Sequence, residues 1–207
     1  MEDRKIPRRN SSFCPPYSCL SLGVSNLLIL KLGSNGCCLV AAAIISCFTT
    51  AAFCAELVIR PDLPNSVTFA AQQAKFVRFV IHASSASEPC IDELEVYDAD
   101  ETLNLAAQDR GSIATASSCL AGYTRHAIEH LNDGRYGNDF SWIAAGSSAE
   151  WAQVELPETV AVSKVVFSRD RKRQYADRVP IEFEVQLSID GKSWKTVQRV
   201  VGKAADI

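Results

Sequence analysis

From residue 75 onward the chain alternates apolar and polar positions in short runs broken by turn residues, and almost nowhere repeats an apolar position at helical spacing. The runs predict seven strands: Phe76 to His82, Ile91 to Tyr97, Ser112 to Ser117, Trp151 to Leu156, Val160 to Phe167, Ile181 to Ile189 and Trp194 to Val201. The clearest is Ile181 to Ile189, where Ile181, Phe183, Val185, Leu187 and Ile189 alternate with polar residues, so that one face is buried and one is wet. Asp190-Gly191 predicts a tight hairpin turn built on positive φ angles, with Trp194 opening the returning strand. Together these runs predict an all-β fold, an antiparallel jelly-roll sandwich whose loops at one end hold the site. Asn104 to Gly111 is a connection within that domain, because neither side of it has enough strands for a closed core.

The N-terminal quarter has a different pattern. Arg4, Lys5, Arg8, Arg9 and Lys31 precede the apolar run from Cys37 to Phe48 and then small residues through Ala55, which is the order of an export signal. Residues 1–55 are therefore expected to be a signal peptide cut after Ala52 or Cys54. The alternative is an uncleaved membrane anchor, for which the apolar run is short against about 30 Å of hydrocarbon; a lipid anchor at Cys47 is a lesser option. Either route places the remainder outside the cytoplasm: secreted, periplasmic or at the cell surface. Residues 56–74, with Pro61 and Pro64, read as an extended linker, and residues 75–203 as the domain.

Charge and cysteine placement narrow the function. A net charge of −3 gives no global attraction to nucleic acid or anionic lipid, which leaves membrane contact to an uncleaved N-terminal segment alone. Of eight cysteines only Cys90 and Cys119 lie beyond the leader, and in an oxidising compartment they are expected to form a disulfide.

Several stretches follow one another in a distinctive order: Asn104-Leu-Ala, Ala114-Thr-Ala-Ser-Ser118, Leu131-Asn-Asp-Gly-Arg-Tyr136 with Ser141-Trp142, Trp151-Ala-Gln-Val-Glu-Leu156, Arg178-Val-Pro and Leu187-Ser-Ile-Asp-Gly-Lys-Ser-Trp194. In that order they resemble the discoidin domain, also called the coagulation factor five/eight type C domain, of the galactose-binding-like fold. Lys75 to Ile81 and Ile91 to Tyr97 resemble the family's last two strands, yet here they come first, as in a circular permutation. Sandwich termini commonly lie close together, so such a move keeps every strand pairing. The other account is that residues 75 to 97 end a truncated upstream copy.

The resemblance implies a non-catalytic binding module for sugars, lipid headgroups or proteins, with a glycan expected here, and it implies where the ligand and a metal sit. The polar loop Ser168 to Arg178 belongs to the binding end in similar domains. Its Arg169, Asp170, Arg171, Asp177 and Arg178 offer paired hydrogen bonds to sugar hydroxyls and Tyr175 a ring face, with neutral His126 as a further contact. Equally, Arg169, Asp170, Asp177 and Arg178 could bind one another and only hold the loop's shape. In similar sugar-binding modules an Asp-Gly turn and a terminal-strand Glu share a structural calcium ion. The matching residues are Asp133 and Glu93, with Asn138 or Ser141 adding oxygen.

One motif points to different chemistry. His126-Ala-Ile-Glu129-His130 matches the His-x-x-Glu-His pattern of zinc peptidases, so the alternative function is a zinc-dependent hydrolase using His126, Glu129 and His130, or a fragment of a larger secreted enzyme. That chemistry needs a helix holding both imidazoles on one face and a third ligand, whereas Asn132-Asp133-Gly134 ends any helix directly after His130. Trp142, Trp151 and Trp194 adjoin predicted strands and are expected to pack the core.

Overall fold

The computed structural model describes residues 57–206. Among them there is no α-helix, only short 3₁₀ turns, and the strands are β1 (Leu57–Ile59), β2 (Asn65–Ser84), β3 (Cys90–Ile91), β4 (Glu93–Tyr97), β5 (Ile113–Ala116), β6 (Trp142–Ile143), β7 (Glu150–Ser168), β8 (Pro180–Ser188) and β9 (Lys195–Ala204). The large sheet runs β1-β9-β8-β2-β7-β4, with β5 also on β7, and β3 pairs with β6 as a separate small ribbon.

Two long strands make this sheet into a sandwich. β2 and β7 run antiparallel from Asn65↔Phe167 to Ile81↔Glu150, with register shifts between Thr68 and Gln72 and between Ala74 and Phe76. Bulges of this kind bend and twist a strand, so the ladder curls on itself and encloses its apolar face. Inside, Phe79, Phe167 and Phe183 form a triad with ring centroids 4.9, 4.4 and 5.1 Å apart. All three are fully buried, as are Val77, Ile81, Leu94, Val96, Trp142 and Val185. Truncating one such Phe to Ala costs about 3–5 kcal/mol.

The residues expected as a linker are part of the sheet. Pro61 and Pro64 fall in the turn between β1 and β2, where lost backbone donors cost nothing. Asn65 closes that turn, accepting the Arg60 N–H at 2.8 Å and donating to the Arg60 and Leu63 carbonyls. From Val67 onward the buried and exposed positions continue the strand. β1 adds in parallel to β9, with Leu57 opposite Gly202 and Ile59 opposite Ala204. A Cβ on Gly202 would stand 2.2 Å from the Leu57 carbonyl oxygen, so only glycine lets β1 dock.

Three further expectations change. Trp151 to Leu156 and Val160 to Phe167 are one strand, β7, since Pro157 sits at an exposed position with no ladder partner. The Asp190-Gly191 connection is a longer loop between Ser188 and Lys195. There only Gly191 has positive φ, at 69°, and Asp190 accepts the N–H groups of Lys192 and Ser193 at 2.9 and 2.8 Å. Trp142 is core, but Trp151 and Trp194 lie half-exposed on the outer sheet face. There they sandwich the Arg78 guanidinium, at 4.5 and 3.8 Å.

The hairpin ahead of the family-like stretch is built into the sheet. β2 lies between β8 and β7, and β4 pairs with β7 from Glu93↔Ser168 to Tyr97↔Lys164. These pairings make β2 and β4 part of the same sheet as the later strands and exclude a detached remnant of another domain.

Candidate functional site

Three connections meet at one end of the sandwich: residues 85–92, residues 117–141 and residues 169–178. Backbone bonds join the first to the third and its flanks, from Ser85 N–H to the Val179 carbonyl, Cys90 N–H to Arg178 and Asp92 N–H to Ser168, each at 2.9 Å. At the junction is Asp92, fully buried, whose carboxylate accepts the N–H groups of Gly137 at 2.9 Å and Arg171 at 3.0 Å and the Ser168 hydroxyl. One acidic side chain thus ties the loop after β7 to the loop before β6. Its position, next to strand residues and far in sequence from both loops, gave no signal of that role.

Most of the charged loop after β7 shapes itself. Arg169 is buried and gives its guanidinium to the Asp177 carbonyl at 2.7 Å, the Asp177 carboxylate at 2.8 Å and the Asn138 amide oxygen at 3.2 Å. Asp170 is also fully buried and accepts the backbone N–H groups of Lys172, Gln174 and Tyr175 at 2.9–3.0 Å. Arg171 pairs with Glu95, donates to Ser168 and lies 4.1 Å from the Tyr136 ring. Arg178 pairs with Glu88 and, at 3.3 Å, with Asp177. Arg169, Asp170 and Arg171 are therefore props rather than open ligand contacts. Tyr175 is exposed, as are Lys172 and Arg173. Arg173 and Arg178 hold φ at 59° and 62°, a left-handed backbone that costs about 1 kcal/mol or more per non-glycine residue, and the Asp170 and Arg178 bonds offset it.

Beside this loop a shallow cavity of about 430 Å³ is lined by Cys119, Leu120, Gly122, Tyr123, Thr124, His126, Ala127, Ile128 and Glu129. Tyr123 is exposed at its rim and meets the His126 ring at 5.9 Å. The tautomer of His126 follows from its neighbour. The Ser141 hydroxyl donates to the Asn138 carbonyl at 2.9 Å, so it accepts from His126 Nδ1–H at 2.9 Å, which leaves Nε2 an acceptor. Burial first, and then the charges of Arg125 and Arg169, lower the His126 pKa and keep the ring neutral. Tyr123 lay in a turn-rich stretch whose only clue was an aromatic ring after glycine.

The zinc arrangement is not made. His126 and His130 belong to separate 3₁₀ turns, Thr124–His126 and Ile128–Asn132, with Ala127 extended between them at φ −87° and ψ 157°. His130 Nδ1 bonds Asp133 at 2.8 Å while His126 Nδ1 bonds Ser141. Among the described residues no three His, Cys, Asp or Glu side chains gather as a metal would require.

For calcium the donors fit in part. Glu93 is buried and reaches the Asp133-Gly134 turn, where its carboxylate accepts the Gly134 N–H at 3.2–3.3 Å. Desolvation pushes its pKa up to about 9, and the nearby Asp133 and Glu95 charges add to that, which is the state of a buried carboxylate short of positive charge. A hard cation between Glu93 and Asp133 would supply it. Asn138 and Ser141 do not complete this set: their oxygens face Arg169 and His126 instead.

The expected disulfide is absent. Cys90 is a buried free thiol and Cys119 an exposed one. Cys90 pairs with Ile143 of β6, while the Ile143 carbonyl turns the other way to accept the N–H of Leu120 at 2.8 Å.

No curated protein and no solved structure matches the chain. Residues 113–206 match the model of the F5/8 type C domain. The match begins at β5 and takes in the Asp133-Gly134 turn, the paired loops and β7 to β9, while β1 to β4 precede it. Domains of this family are usually ligand-binding modules without catalysis, typically found outside cells or at their surface. The jelly-roll sandwich and the loop-borne cavity at one end agree with the matched stretch, and residues 113–206 have the pattern of an F5/8 type C, or discoidin, domain.

Proposed function

We propose that the loop end of this domain binds carbohydrate outside the cytoplasm and does not turn it over. The observation that carries this reading is the cavity beside His126. It is open and shallow, with an exposed aromatic ring at its rim and a neutral imidazole whose Nε2 is a fixed acceptor. A sugar presents that combination of needs, a C–H face for a ring and hydroxyl donors for a lone pair. The surrounding loops are held by buried Asp92, Arg169 and Asp170, so the site is preorganised and little ordering cost falls on binding. Calcium held by Glu93 and Asp133 would stiffen the adjoining turn and would act on shape rather than on the sugar directly.

The test is binding of the purified protein to an array of neutral and acidic glycans, with Tyr123→Ala and His126→Ala beside it. The expected result is retention of at least one glycan class by the parent and about tenfold or greater loss in each variant, since a stacked ring or a buried-side hydrogen bond contributes about 1–3 kcal/mol. Binding unaffected by both substitutions would move the site elsewhere, and hydrolysis of bound glycans would overturn the non-catalytic reading.

A further inference from the structure

Next to the cavity loop, two cations converge on one aromatic ring. The Arg135 guanidinium lies 3.5 Å and the Lys172 ammonium 5.4 Å from the centroid of Phe140. They come from different loops, Arg135 following the Asp133-Gly134 turn and Lys172 following Asp170. The side chain of Lys172 is laid across Gly137, where a Cβ would meet Lys172 Cδ at 2.6 Å and Gly137 has φ at 98°. The backbone there is shaped to let the lysine reach the ring.

Neither cation is neutralised by a carboxylate of the described residues. Most cations of the described residues have a carboxylate within ion-pair reach, among them Arg60, Lys75, Arg125, Lys164, Arg169, Arg171, Arg178 and Arg199. Arg135 and Lys172 have none among these residues, although Asp133 and Asp139 lie in the same loop. Asp133 is engaged by His130 and by the Arg135 backbone N–H, and Asp139 by Arg125. Both side chains are exposed. Two like charges facing one ring repel each other, and the ring's quadrupole offsets only part of that. An anionic group placed between them would relieve the repulsion and gain both partners.

We infer that Arg135 and Lys172 form an anion-recognition point of the carbohydrate site and that the ligand is an acidic glycan, bearing a carboxylate or sulfate group beside the sugar ring. This inference rests on the glycan reading above and narrows its ligand class. A glycan fits better than an anionic membrane, because among the described residues the exposed large apolar side chains near these loops are the two tyrosines Tyr123 and Tyr175 and the partly covered Leu63, and the chain as a whole is negatively charged. A membrane would need a wider basic surface and an apolar tip to insert.

The experiment measures binding of the protein to polygalacturonate, alginate and chondroitin sulfate, each beside its carboxyl-reduced or desulfated form, and to vesicles containing phosphatidylserine. The variants are Arg135→Ala/Lys172→Ala and the charge-keeping Arg135→Lys/Lys172→Arg. The expected result is about tenfold preference for at least one acidic polymer over its neutralised form. That preference should shrink with added salt, disappear in the double alanine variant and survive in the charge-keeping one. Equal binding to acidic and neutralised forms overturns the inference and leaves the glycan reading standing. So does vesicle binding that depends on the two cations without any preference among polymers. Binding to no glycan at all overturns both.

Discussion

Replacing Glu93 with Gln isolates one buried carboxyl and should change how stability depends on pH. In the folded protein burial raises the Glu93 pKa to about 9, against 4.5 for an ordinary glutamate. Between those values the folded state holds a proton that the unfolded state has released, so stability falls as pH rises. Each pH unit inside the window is about 1.4 kcal/mol, so from about pH 5 to about pH 8 the loss reaches at most about 4 kcal/mol. Gln keeps the shape and the acceptor for the Gly134 N–H but does not titrate. Urea midpoints of parent and Glu93→Gln in chelator, taken at several values across this window, give the difference directly, and other titrating groups cancel. The variant should gain on the parent steadily as pH rises. Calcium competes with the proton for the same oxygens, so adding it near pH 8 should restore the parent and leave the variant unchanged. Parallel pH profiles for the two proteins would show that Glu93 titrates normally and would remove the reason for placing a cation there.

Three other outcomes are expected. Asp170→Ala leaves three backbone donors of the loop without their acceptor and should cost about 2–4 kcal/mol in chemical denaturation, with Tyr175 becoming more mobile on the nuclear magnetic resonance timescale. Gly137→Ala forces a side chain onto a left-handed backbone and onto Lys172, so it should destabilise by about 1–2 kcal/mol and also weaken any binding that depends on Lys172. In alkylation followed by peptide mass mapping, Cys119 should react in the native protein and Cys90 only after unfolding, because Cys90 is buried and its thiol pKa is pushed up to about 11; equal labelling rates would contradict this.

The sheet was legible because alternation survives in its strands: Phe183, Val185 and Leu187 of β8 and Leu94 and Val96 of β4 are buried as the pattern requires, whereas Ile189, past the end of β8, is exposed. What escaped were features that local pattern does not encode. Residues 65–74 read as linker because two prolines precede them and polar Gln72-Gln73 interrupt the alternation, at the place where the bulge turns the strand over. Trp151 and Trp194 read as core because large aromatic rings usually are, yet Arg78 offers them a partner on the outer face that only the register of β2 with β7 and β8 creates. At the site, the proximity of Glu93 to the Asp133 turn was visible through the family-like order of segments. The division of the charged loop into buried props and an exposed tip was not, since Arg169 and Tyr175 look equally polar on paper. The free thiols likewise reflect tertiary placement: Cys90 is buried on β3 against β6, whereas Cys119 is exposed in the loop after β5.

The parallel docking of β1 on β9 has a mechanical meaning. Chain enters the domain at Leu57 and leaves it past Ala204, on neighbouring strands that run the same way. A pull applied to the two ends therefore drags β1 and β9 past each other in opposite directions and loads their bonds together, in shear, instead of opening them one at a time. Gly202 permits the close approach on which that grip depends. If the segment before Leu57 is fastened to a surface and the loops hold a polymer, the strand pair at the point of entry is where tension is first resisted.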